Sequence, residues 1–131
     1  MASSAPRPPD AKKRVVLVIE DEPVLRIEIS DMLQEEGLEV VEATNVENAI
    51  HILETRPDIR IVYMDLDMPN GVDGVKIAAA IRDRWPPIEI VLTASRIDSA
   101  RLQLPVRAKF FPKPFNRARV IEAVRVFAGQ A

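Results

Sequence analysis

The chain has 131 residues and a formal net charge of −2. This length suits one domain with one hydrophobic core, and the near-neutral charge argues against bulk nucleic-acid binding. No apolar run approaches the roughly 20 residues that cross a membrane, so we expect no membrane contact. The sequence lacks cysteine, which excludes a disulfide framework and a thiolate metal site, and a cytoplasmic protein is therefore expected.

The two ends of the chain differ from its middle. Residues 1–13 are rich in proline and lack the apolar centre of a signal peptide, so we predict a disordered leader there. Residues 14–128 carry the regular hydrophobic patterns and are predicted to form the domain, with residues 129–131 as a short tail. Acidic residues dominate the first two thirds of the chain and the last third is basic, which leaves open a basic surface for an acidic partner.

Five short apolar segments predict the strands of a sheet. The first, "RVVLVIE" at residues 14–20, has consecutive rather than alternating apolar residues. Such a run is typical of a parallel strand that is covered on both faces. The other four segments lie at residues 38–43, 59–64, 88–94 and 108–111.

Helical patterns separate these strands. Pro23 suits a first helical turn, and apolar residues then recur at helical spacing until Gly37 supplies a stop. Three more helices are predicted after the cap Asn45, over residues 74–85 and after the cap Asn116, and a weaker pattern covers residues 95–105. A strand followed by a helix, five times with short connections, predicts an α/β fold. Its centre is a doubly wound, five-stranded parallel sheet with helices on both faces.

Polar residues stand where the predicted strands end, which is where such sheets bind ligands. Glu20 and Asp21 follow the first strand, Asp65 ends the third, Thr93 ends the fourth and Lys113 follows the fifth. Carboxylates placed close together repel one another unless a cation lies between them. An oxygen-only set suits Mg²⁺, and a hydroxyl and an ammonium opposite the metal would complete a cradle for a phosphoryl group.

Four motifs occur in order along the chain: "VLVIEDEP", "VYMDLDMPNGVDG", "VLTA" and "FFPKPF". Together they resemble the signatures of the receiver domain of two-component response regulators, over roughly residues 14–128, in a stand-alone, single-domain form. The resemblance implies a flavodoxin-like sheet with strand order 2-1-3-4-5. It also implies a phosphorylation-dependent signalling switch rather than an enzyme.

The resemblance implies a role for each acid of the site. Asp65 would be the phosphoacceptor, which takes a phosphoryl group from a sensor histidine kinase or a histidine phosphotransfer protein. Mg²⁺ would be the cofactor, held by Glu20, Asp21, Asp65 and the backbone carbonyl of Asp67. The side chain of Asp67 would lie at the mouth of the site.

The resemblance also implies how the phosphoryl group is sensed. Lys113 would pair with its oxygens, and the Lys113–Pro114 bond resembles the family's cis peptide. Thr93 would bond the phosphoryl group, and Phe110 occupies the aromatic switch position. The altered surface would bind a downstream protein whose identity is unknown, with a weak homodimer as an open alternative. No direct DNA binding is expected.

Two further residues have simpler interpretations, and two segments depart from the family. Asp73 is interpreted as a turn residue or helix cap rather than a ligand, and His51 as a surface residue or a structural residue with satisfied hydrogen bonds. The loop between Pro69 and Asp73 is one residue longer than the usual pattern. The segment from Thr93 to Lys113 is short and weakly helical, so the family's standard dimer through the fourth helix is in doubt.

Two other functions compete with the signalling switch. A haloacid-dehalogenase-like phosphatase would use the pair Asp65-x-Asp67, but Pro69 stands where a small residue is expected and Glu20–Asp21 would have no role. A nucleotide-binding module would need a glycine-rich first loop, and "EDEP" occupies that place.

Overall fold

The computed structural model describes residues 14–68, 73–95 and 108–129. Within these ranges five parallel strands form one sheet in the order β2-β1-β3-β4-β5, which confirms the predicted fold and strand order. The strands are β1 (Val15–Ile19), β2 (Glu39–Ala43), β3 (Ile59–Asp65), β4 (Glu89–Ala94) and β5 (Ala108–Pro112). The predicted leader, the weak helical pattern beyond Ser95 and the last two residues lie outside the described residues.

Each helix of the described ranges begins after a side chain that accepts a hydrogen bond from a backbone N–H of its first turn. Asn45, Asp73 and Asn116 act in this way, as predicted, and Glu22 does the same for the first helix. Gly37 follows the first helix with a φ of 84°, which confirms the predicted stop. The helices are α1 (Pro23–Glu35), α2 (Val46–Thr55), α3 (Gly74–Arg84) and α4 (Arg117–Phe127).

The sheet buries apolar side chains on both of its faces. All five residues of β1 are buried, because successive side chains point to opposite faces and both faces are covered. One cluster, here called the α1/α4 face, contains Val16, Val18, Ile61, Tyr63 and Val91 with residues of α1 and α4. The other, the α2/α3 face, contains Leu17, Ile19, Val62, Met64 and Leu92 with residues of α2 and α3. Burial of each such side chain stabilises the fold by about 1.5–3 kcal/mol.

The helices of the domain and its one histidine bear on two expectations about its surface. None of the helices in the described ranges is both long and apolar enough to cross a lipid bilayer. His51 lies on α2 and is exposed, which agrees with the first of its two interpretations, a surface residue.

Candidate functional site

The site lies at the edge of the sheet where the strands have their carboxyl ends. Asp65 and Thr93 are paired neighbours on β3 and β4, and Glu20 directly follows β1. All three residues are buried. Because side chains alternate along a strand, these three continue the α1/α4 face beyond Val18, Tyr63 and Val91. The topology therefore brings together the polar residues that the sequence placed at strand ends.

Three carboxylates form a cluster in this site. One oxygen from each of Glu20, Asp21 and Asp65 lies within 4.8 Å of the others. Glu20 and Asp65 are 1% and 3% exposed, whereas Asp21 is exposed. Burial, together with a hydrogen bond to Asp65, raises the pKa of Glu20 to about 8. In the metal-free protein one proton thus relieves the repulsion between the two buried acids, and a hard divalent cation with oxygen ligands fits the same place.

Both oxygens of Asp65 are already oriented by neighbouring groups. The backbone N–H of Asp67 donates to Oδ1 at 2.8 Å. The Lys113 ammonium lies 3.0 Å from Oδ2. The strand end is fixed as well, because the N–H of Leu66 donates to the carbonyl of Thr93 at 2.7 Å.

Lys113 reaches the site from the end of β5. Its N–H donates to the carbonyl of Ala94 at 2.9 Å, and the Lys113–Pro114 peptide bond is cis, as expected. Its ammonium bridges Asp65 and Asp67, at 3.0 and 3.1 Å. Partial burial opposes the charge, but the hydrogen bonds to these two carboxylates prevail and raise the pKa of Lys113.

The side chain of Asp67 connects two loops at the mouth of the site. Its carboxylate accepts hydrogen bonds from the N–H of Ser95 at 3.0 Å, from the Ser95 hydroxyl at 2.9 Å and from Lys113 at 3.1 Å. Burial opposes ionisation, but the bonds from the Ser95 amide and from Lys113 outweigh it and lower the pKa of Asp67. The sequence did not single out Ser95, although it directly follows the "VLTA" motif.

Thr93 and Phe110, the two predicted switch residues, occupy different environments. The Thr93 hydroxyl is buried and hydrogen-bonded to the Tyr63 hydroxyl at 3.3 Å. Phe110 is half-buried and packs against the α2/α3 face. Its paired neighbour on β4 is Leu92, whereas Thr93 is paired with Phe111, so the two switch residues stand at adjacent register positions of the sheet. The sequence analysis did not predict a role for Tyr63 in the site, because a single tyrosine within an apolar strand is interpreted as a core residue.

A comparison with protein families agrees with this geometry. The sequence model of the response regulator receiver domain matches residues 16–125, which is most of the chain. The match includes the strand ends and all of the acidic and basic residues described above.

Two curated relatives share about a third of their aligned residues with this chain. Protein-glutamate methylesterase/protein-glutamine glutaminase of Natronomonas pharaonis is 35% identical, over 86% of this chain and 35% of its own length. Transcriptional regulatory protein PdtaR of Mycobacterium tuberculosis is 34% identical, over 88% of this chain and 57% of its own length. The chain therefore spans only part of each relative.

Solved structures share the fold over nearly all of the chain. A response regulator receiver protein from Sinorhizobium medicae is 24% identical with a TM-score of 0.79, and the match covers 90% of this chain and 96% of that one. The receiver domain of Ssk1 from Saccharomyces cerevisiae, crystallised with the histidine phosphotransfer signalling protein Ypd1, appears in a match with 18% identity and a TM-score of 0.73 that covers 89% of this chain and 90% of that one. With the family match and the five-stranded sheet, these findings show that the chain belongs to the response regulator receiver domains, which are phosphoacceptor signalling domains.

Proposed function

We propose that Asp65 accepts a phosphoryl group in a Mg²⁺-dependent reaction and that the domain thereby changes its binding to other proteins. One observation carries the proposal. The buried Asp65 carboxylate lies at a strand end, clustered with Glu20 and Asp21 and 3.0 Å from the Lys113 ammonium. A nucleophilic oxygen, acids for a cation and a fixed positive charge are the groups that phosphoryl transfer needs.

The transfer itself can be written from these groups. A carboxylate oxygen of Asp65 attacks the phosphorus of a phosphohistidine, and an O–P bond forms as the P–N bond breaks. The imidazole leaves with the electron pair of that bond and then takes up a proton. Lys113 stays close to Asp65 and balances the negative charge that arrives on the phosphoryl oxygens.

Glu20, Asp21 and Asp65 would hold the Mg²⁺ ion, together with the backbone carbonyl of Asp67. When bound, Mg²⁺ neutralises the charge that accumulates between the carboxylates and the phosphoryl oxygens. The close approach of three carboxylate oxygens supports this assignment. Glu20 must give up its proton to act as a ligand, because its pKa is raised to about 8 without the metal.

A sensor histidine kinase or a histidine phosphotransfer protein would supply the phosphoryl group. Family membership supports this donor class, as does the Ssk1 receiver domain in its complex with the phosphotransfer protein Ypd1. Thr93 would then bond the phosphoryl group, and Phe110 would adjust its packing beside the groove formed by Lys109, Phe111, Arg119 and Glu122. A downstream protein would read this change. The family match does not favour the phosphatase alternative.

The experiment that tests this function measures the intact mass of the protein after exposure to acetyl phosphate. With Mg²⁺, the wild-type chain is expected to gain about 80 Da, the mass of one phosphoryl group. Asp65→Asn should show no such gain, and neither should the wild type with excess chelator. A persistent adduct in Asp65→Asn would move the chemistry to another residue.

A second prediction concerns the negative charge at the mouth of the site. Asp67→Asn is expected to accelerate phosphorylation by acetyl phosphate about fivefold, because it removes roughly 1 kcal/mol of repulsion toward the incoming anion. Asn retains an oxygen that can accept from Ser95, so the loop contact persists in part. Initial rates from intact mass, at low and high salt, measure the effect, which salt should reduce.

The matched control for this charge change is Asp83→Asn. Asp83 is exposed near the C-terminal end of α3, away from the strand ends that form the site. The Asp83→Asn substitution changes the net charge by the same amount as Asp67→Asn, and it should leave the phosphorylation rate within about twofold of the wild type. A rate for Asp67→Asn at or below the wild-type rate would contradict the prediction.

A further inference from the structure

Tyr63 is the only tyrosine in the sequence and one of the most buried side chains of the domain. It is 1% exposed and lies within β3, two residues before Asp65. Its hydroxyl lies 3.3 Å from the hydroxyl of Thr93, which is itself fully buried. Among the described residues, the Tyr63 and Thr93 hydroxyls form a hydrogen bond with each other and with no other side chain.

The register of the sheet explains why the two hydroxyls meet. Tyr63 is paired with Val91, and Asp65 is paired with Thr93. All four side chains lie on the α1/α4 face, because paired residues of parallel strands share a face and residues two apart do as well. Thr93 therefore stands between two neighbours of different kinds. Tyr63 lies on the side of the hydrophobic core, and the carboxylate of Asp65 lies beside Thr93 at the edge of the sheet.

The Tyr63 hydroxyl is a neutral partner that does not ionise here. Burial, and to a lesser extent the nearby charges of Asp65 and Glu20, raise the pKa of Tyr63. A buried hydroxyl that loses a hydrogen-bond partner is costly, and Tyr63 is the partner that the Thr93 hydroxyl has among the described residues. Thr93 is therefore expected to keep its bond to Tyr63 while the site holds no phosphoryl group. The Thr93 hydroxyl has one hydrogen, and when it donates this hydrogen to Tyr63 it cannot also donate it to a phosphoryl oxygen on Asp65, which is a stronger, charged acceptor.

We propose that Tyr63 is a positioning residue that holds the Thr93 hydroxyl in its resting orientation, so that a phosphoryl group on Asp65 must compete with Tyr63 for Thr93. This inference rests on the proposed function, since it concerns how the same site senses phosphorylation. The Tyr63 hydroxyl sets the threshold of the response. A stronger bond between the two hydroxyls lowers the affinity of the site for a phosphoryl group or its mimic.

Tyr63→Phe tests this role because it removes the hydroxyl and keeps the ring that fills the core. In this variant the resting Thr93 hydroxyl loses the hydrogen-bond partner that it has among the described residues, while a phosphoryl mimic on Asp65 still supplies an acceptor. The affinity for the mimic beryllofluoride in the presence of Mg²⁺ is therefore expected to rise about five- to tenfold. Titration calorimetry measures it.

A double-mutant cycle separates this role from a general packing effect. Thr93→Val has nearly the same shape as threonine but no hydroxyl. In the Thr93→Val background, Tyr63→Phe is expected to change the beryllofluoride affinity by less than about twofold. An unchanged or lowered affinity in Tyr63→Phe alone, or an equal rise in both backgrounds, would overturn the proposal.

A second readout keeps Tyr63 in place and so does not depend on how the Phe variant folds. Since Tyr63 is the only tyrosine, a chain labelled with ¹³Cζ-tyrosine gives one resonance from the hydroxyl-bearing carbon. Beryllofluoride with Mg²⁺ should shift this resonance in the wild type and shift it far less in Thr93→Val. Equal shifts in both chains would overturn the role of Tyr63. A wild-type chain that binds no beryllofluoride would instead overturn the proposed function, and this inference with it.

Discussion

Lys113→Ala is expected to slow phosphorylation of Asp65 by about 100- to 1000-fold, which is typical when a fixed donor to developing charge is removed. The same variant should bind Mg²⁺ about three- to tenfold more tightly, because one positive charge near the acidic cluster no longer repels the cation. Removing the Lys113 charge thus lowers the phosphorylation rate but raises the affinity for Mg²⁺. Lys113 lies 3.0 Å from Asp65 and 3.1 Å from Asp67, so its charge acts on both the nucleophile and the cation ligands.

Initial phosphorylation rates at saturating Mg²⁺ and a separate Mg²⁺ titration measure these two effects. Lys113→Arg keeps the charge and should retain much of the rate. Lys76→Ala is the matched control for net charge, because Lys76 is an exposed residue of α3 that faces Asp73 rather than the site. Weaker Mg²⁺ binding in Lys113→Ala would mean that Lys113 holds the acidic cluster together instead of opposing the cation.

The fold could be predicted from the sequence because its signals are local and repeated. Consecutive apolar residues in β1 indicated burial on both faces, and caps such as Asn45 and Asn116 marked the starts of helices. Alternation of strand and helix then leaves few arrangements of a parallel sheet. The order of the strands came from the resemblance to receiver domains, and the sheet of this chain confirms it.

The site was predictable only where its residues stand at strand ends. Asp65, Thr93 and Lys113 meet because parallel strands place their carboxyl ends at one edge of the sheet. The partner of Thr93 could not be predicted, since the bond to Tyr63 depends on the register between β3 and β4, which no local pattern encodes. The bond from Ser95 to Asp67 likewise joins two loops, and loop contacts follow from the finished fold.

A pH dependence of stability is the second large effect expected of this domain. In the metal-free protein the pKa of Glu20 is about 8, above its usual value of 4.5, because the side chain is buried and hydrogen-bonded to Asp65. When the pH is below 4.5, Glu20 holds its proton in both the folded and the unfolded chain. Between pH 4.5 and about pH 8 only the folded chain holds this proton, so the free energy of unfolding falls as the pH rises. Above about 8 Glu20 is ionised in both states.

Between pH 6.5 and pH 8 the loss of unfolding free energy attributable to Glu20 is expected to be about 1.6 kcal/mol, since each full pH unit contributes roughly 1.4 kcal/mol and the slope falls to half at the pKa of about 8. Glu20→Gln resembles the protonated acid and should lose far less stability over this range. Glu47→Gln, at an exposed position of α2, is the matched control and should keep the wild-type slope. Denaturant unfolding with chelator at several pH values gives these free energies.

Mg²⁺ should oppose this loss, because a cation favours the ionised form of Glu20 and binds only the folded site. Adding millimolar Mg²⁺ to the wild type at pH 8 is therefore expected to restore stability, and the gain should shrink at pH 6.5, where the proton competes with the metal. Glu20→Gln should show little gain at either pH, because it lacks one charged ligand of the cluster. A wild-type slope that Glu20→Gln leaves unchanged would show that another group carries the titration. A Mg²⁺ gain that is equal at both pH values would show that the proton on Glu20 and the metal do not compete for one site.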